Sequence, residues 1–95
     1  MNELNDVHIS NDKILSPFLL ACAFNGLLTF QGSHIESGVL YWQFSPKKDA
    51  QELVEAYFTK REPHIPARDL FEATSTFWRQ ISGIRNGEVY GSTRR

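Results

Sequence analysis

The chain has 95 residues, 41% of them apolar and 22% charged, and a formal net charge of −1 at pH 7. This is the composition of one folded domain with a modest core, and it excludes a chain disordered throughout. The near-neutral charge argues against a dedicated double-stranded DNA binder, and the single cysteine, Cys22, excludes an intramolecular disulfide and a multi-cysteine metal centre.

Residues 1–10 are polar, with Leu4, Val7 and Ile9 as weak anchors, and are expected to form a flexible arm or a short edge segment. They carry Glu3 and Asp6 and lack the apolar stretch of a signal peptide. The longest apolar run, Phe18 to Phe24, falls well short of the roughly 20 residues that span a bilayer. A cytoplasmic chain without a membrane partner is the expectation.

The first helix lies within 11–25. One start uses Asn11 as cap; the other uses Ser16, with Pro17 at the first helical position, where its missing N–H costs nothing. Leu15, Phe18, Leu19 and Cys22 share one face, and Asn25-Gly26 is a stop signal. A β-hairpin follows, from strands at 27–31 and 39–44 with turn residues Gly32, Ser33, Ser37 and Gly38 between them. Leu40, Trp42 and Phe44 form the more apolar face of its second strand and should meet the helices.

Ser45 is the expected cap of a second helix, with Pro46 at its first position and an end near Lys60. Ala50, Leu53, Val54, Tyr57 and Phe58 match one buried face, and Lys48, Glu52, Glu55 and Thr59 the opposite one. Pro63 and Pro66 bracket a rigid connection. The third helix is expected from about Pro66 to Ser82, with a stripe of Leu70, Phe71, Thr74, Phe77, Trp78 and Ile81 and a stop at Gly83. The predicted fold is therefore α+β, a β-hairpin packed against three helices in the order α-β-β-α-α. Residues 11–83 form the domain, with an arm at 1–10 and a tail at 84–95.

Four segments, 17–24, 39–44, 53–58 and 66–73, resemble in their order and packing positions a family of small bacterial and phage-associated domains of unknown function. The resemblance spans roughly residues 11–82 and leaves out the polar arm and the Arg-ended tail. It implies a stand-alone module and carries no activity to transfer.

The chain offers little chemistry. His8, His34 and His64 are isolated in sequence and read as surface or loop residues, and no metal-ligand spacing appears. Cys22 sits on the apolar face of the first helix, where a thiol packs and stays protonated. Gly-x-Ser-x-Gly and glycine-rich phosphate loops are absent. Glu52 and Glu55 read as a solvated face with Lys48, as do Arg68, Glu72, Ser75 and Arg79 on the third helix. No catalytic residue, metal or cofactor is expected.

What remains is a small protein-interaction or regulatory module, in a mobile-element or phage setting by resemblance alone. Phe30, Tyr41 and Tyr90 are candidate anchors for an unidentified protein partner, against the ordinary alternative of core or edge packing. A hairpin with both edges open suggests a homodimer that joins two hairpins into one sheet. The alternative is weak nucleic-acid binding through Lys47, Lys48, Arg61, Arg68 and Arg79, with Tyr41 stacking on a base.

Overall fold

A computed structural model describes residues 6–86. The fold is α+β, in the order β1 (His8–Ser10), α1 (Leu15–Phe24), β2 (Thr29–Glu36), β3 (Val39–Ser45), α2 (Lys47–Phe58) and α3 (Ala67–Asn86). The strands form an antiparallel sheet in the order β1-β3-β2. The arm therefore contributes a strand: His8, Ile9 and Ser10 pair with Phe44, Gln43 and Trp42. This changes the expectation of a hairpin with two open edges, because β3 lies in the centre of the sheet and only its β2 neighbour leaves a hairpin edge free.

Alternation along β3 sorts its side chains. Leu40, Trp42 and Phe44 are buried beneath the helices, as the sequence pattern requires, and Val39, Tyr41 and Gln43 point the other way. β2 is longer than its apolar residues suggest. Gly32 and Ser33 belong to the strand, since a bulge between Phe30 and Gly32 absorbs one extra residue. The turn is Ser37-Gly38 alone, at φ +54° and +79°, and this two-residue geometry matches the twist of the strands it joins.

α1 has no solvent face along its middle. Every residue from Ser16 to Cys22 is buried, so the one-sided stripe expected from the spacing is replaced by a helix apolar on all sides, enclosed by α2, α3 and β2. Its start matches neither expected cap. Asp12 Oδ1 accepts the N–H groups of Ile14 (2.7 Å) and Leu15 (2.8 Å). Pro17 then falls in the first turn, between the Ser16 N–H, which donates to the Asp12 carbonyl at 2.9 Å, and the Phe18 N–H, which donates to the Ile14 carbonyl at 3.3 Å, so its absent N–H omits one bond there. Ser16, freed from capping, shares a 2.7 Å hydroxyl–hydroxyl hydrogen bond with Ser10 inside the protein, tying α1 to β1.

The start of α2 also differs from expectation. Ser45 ends β3, where its Oγ accepts from Gln31 Nε2 at 2.7 Å, and Pro46 takes the cap position in an extended conformation. Proline offers no capping oxygen. Asp6 supplies one, accepting the Lys47 N–H at 3.1 Å and setting a carboxylate at the positive end of the helix. At the other end Lys60 adopts φ +61°, and the Arg61 N–H reaches back to the Ala56 carbonyl at 2.8 Å. This is the same closing motif that Gly26 provides after α1, where the Leu27 N–H reaches the Cys22 carbonyl at 3.0 Å.

α3 runs through Gly83 and does not stop there. Ile81 and Ile84 pack against the core on either side of that glycine, and their burial offsets the roughly 1 kcal/mol a helical glycine costs. The core itself joins Phe18, Leu19, Leu20, Cys22, Leu28, Leu40, Trp42, Phe44 and Phe77. Trp42 anchors it, edge-on to Phe77 with ring centroids 5.2 Å apart, and its Nε1 donates to Gln80 Oε1 at 2.9 Å. No helix among the described residues is long and apolar enough to cross a membrane.

Candidate functional site

The third helix carries more apolar surface than its core contact uses. Ala73 and Phe77 are buried, with Leu70, Ile81 and Ile84 packed beside them. Phe71 is 73% exposed and Trp78 39% exposed, although both belong to the stripe expected to be internal. One turn of helix advances 3.6 residues, so residues seven apart, such as Phe71 and Trp78, lie on nearly the same line. That line falls beside the core contact, not on it. The signal for the true inner face was available in Ala73 and Ile84, which complete a stripe with Leu70, Phe77 and Ile81.

Phe71, Thr74 and Trp78 form one wall of an apolar groove of about 800 Å³. Ile14 enters from just before α1, Pro17 and Phe18 from its first turn, Tyr57 from α2, and Ile65 from the α2–α3 connection. Phe18 and Tyr57 pack ring to ring at 5.4 Å. Ile14, at 59% exposure, was not singled out by sequence pattern because it precedes the helix. Lys13, Glu62, His64 and Thr74 are the polar lining residues. The connection is placed by the Lys60 turn and by the Pro66 carbonyl, which accepts the Asp69 N–H at 3.0 Å as α3 begins. Asn25 Nδ2 donates to Asp69 Oδ2 at 3.0 Å, which joins the end of α1 to the start of α3.

The residues singled out from sequence do not converge on this groove. Phe30 lies on the inner side of β2, 5.5 Å from the rings of both Trp42 and Phe44, at the margin of the core. Tyr41 stands on the outer sheet face, stacked on His34 at 5.1 Å with 16° between the rings. His34 Nδ1 in turn lies 2.8 Å from Gln43 Nε2, and its Nε2 lies 3.9 Å from Glu36. Tyr90 lies outside the described residues.

The basic residues are dispersed. Lys47 and Lys48 open α2, whereas Arg61 follows its end, about 18 Å away by helical rise. Arg68 and Arg79 are exposed on α3 with Glu72 between them. Among the described residues no three His, Cys, Asp or Glu side chains gather into a metal-binding group. Cys22 is fully buried, and burial pushes its thiol up to about 11. No family model matches the chain, and neither does any curated protein or solved structure.

Proposed function

We propose that this chain is a non-enzymatic protein-interaction or regulatory module whose binding surface is the groove between α1 and α3. The observation that carries this is Phe71, an aromatic side chain 73% exposed in the body of a helix and flanked by the exposed Ile14 and Trp78. Large apolar side chains gathered at one surface mark interaction sites, and aromatic anchors supply most of the binding energy in such interfaces. The lining is mostly apolar, which suits an apolar side chain of a protein partner. We extend the proposal to a cytoplasmic role and, on resemblance alone, to a mobile-element or phage setting.

The test is selection of helical peptides from a random display library on the wild-type chain, followed by counter-screening on Phe71→Glu. The expected peptides carry apolar anchors at helical spacing and bind the variant at least about tenfold more weakly, as for loss of a hot-spot aromatic. Failure to select any peptide, or equal binding to the variant, overturns the reading.

Self-association belongs to the same proposal. The homodimer expected through the hairpin has β2 as its remaining edge. Nucleic-acid binding stays as a second reading, supported by the exposed Arg68 and Arg79 and opposed by Glu72 between them and by the distance from Lys47 and Lys48 to Arg61. A salt titration with a mixed-sequence oligonucleotide tests it: binding that falls steeply with salt supports that reading.

A further inference from the structure

The exposed side of α3 places like side chains seven residues apart, Phe71 with Trp78 and Ser75 with Ser82, and beside them the opposite charges Glu72 and Arg79 at the same interval. A seven-residue period places each pair on one line of the helix, so Phe71, Ser75, Trp78 and Ser82 form a single seam at four-three-four spacing. Glu72, Ser75, Arg79 and Ser82 are exposed, as are the two aromatic side chains. The spacing is that of a helix that packs lengthwise against another helix.

We infer that the occupant of this seam is a second copy of the chain, its α3 laid antiparallel on the first. The inference rests on the groove being an interaction surface and names its partner. An antiparallel two-fold pair centred at the level of Thr76 and Phe77 sets Phe71 opposite Ser82 of the second copy and Trp78 opposite Ser75 of the second copy. Each large ring then meets a small side chain, which is how packed helices interdigitate.

Charge agrees with this register. Glu72 and Arg79 lie seven residues apart, about 10 Å along one helix, too far to pair with each other. In the antiparallel pair Glu72 comes within about 3 Å, measured along the axis, of the level of Arg79 of the second copy, on the same side of the seam. Two symmetric ion pairs result. The β2 edge offers a weaker match, because the bulge between Phe30 and Gly32 interrupts its pairing surface.

The test uses two single charge reversals, Glu72→Arg and Arg79→Glu, with light scattering at high micromolar concentration. Each variant alone sets like charges across both contacts, and its dimer should weaken at least about tenfold. Mixed together they restore both opposite-charge contacts, so a heterodimer of wild-type affinity is expected. Both positions are exposed, so at protein concentrations too low for association thermal unfolding should match wild type and exclude a folding defect.

A monomeric wild type, or single variants that dimerise as it does, overturns the inference. So does a dimer that survives Phe71→Glu and is lost in Ser33→Pro, which assigns the contact to β2. A monomeric wild type that still selects groove-binding peptides removes the second copy and leaves the interaction reading standing; a chain with neither property removes both.

Discussion

The outer face of the sheet and the exposed side of α3 each present aromatic rings to solvent, yet they differ in what surrounds those rings. On the sheet, Tyr41 lies flat on His34, which bonds Gln43, so the ring and its polar neighbours are engaged within the face. On α3, Phe71 stands 73% exposed on the wall of a groove that leaves room for another occupant. An exposed aromatic ring is thus informative only through its company. The sheet face spends its aromatic residue on its own cohesion, whereas the α3 face holds apolar surface in reserve.

Substitutions sharpen this contrast. The largest effect is expected at Phe77, on the inner side of α3: Phe77→Ala should cost about 3–5 kcal/mol in urea unfolding, by loss of burial and creation of a cavity. Tyr41→Ala should cost about 0.5–1.5 kcal/mol through the lost cross-strand stack. Phe71→Ala should change stability by no more than about 0.5 kcal/mol at protein concentrations too low for association. If Phe71→Ala proved as costly as Tyr41→Ala, the two faces would not differ in the way described.

A smaller gain is expected where α2 ends. Lys60 holds a left-handed conformation that Gly26 holds after α1, so Lys60→Gly should stabilise the protein by about 0.5–1 kcal/mol in the same assay. The smallest effect concerns pH. Burial, and then the nearby Lys47 charge, lower the His8 pKa from 6.5, so the folded state favours the neutral ring. Stability from this group is complete above pH 6.5 and falls as acid lowers the pH through the folded value. His8→Gln should remove that step from a plot of unfolding temperature against pH.

Several elements were legible in the sequence because local chemistry and tertiary packing agree there. Alternation in 39–44 marked the inner face of β3, and the spacing of Ala50, Leu53, Val54 and Tyr57 marked that of α2, whereas Phe58, expected on the same face, is exposed. Errors arose where a distant residue took over a local role. Asp6 caps α2 in place of Ser45, and Asp12 begins α1 in place of Asn11 or Ser16. Gly83 fails to stop α3 because the partly buried isoleucines around it pack against the core. The groove was hidden for a related reason: Phe71 and Trp78 fit a helical stripe, and periodicity alone does not say which of two adjacent lines faces the core. The basic residues looked grouped only because they follow one another in the chain.

Pairing of β1 with β3 has a consequence for how the chain acquires its structure. β2 and β3 are joined by a two-residue turn and meet early, whereas β1 reaches β3 only after α1 and the whole of β2 have been looped out between them. Closing that long loop costs chain entropy which a three-residue strand repays only in part. The arm is therefore expected to dock last and to open first. Amide protons shared by β1 and β3 should exchange with solvent well before those between β2 and β3, and Asp6→Ala should widen that interval by releasing the arm from the start of α2.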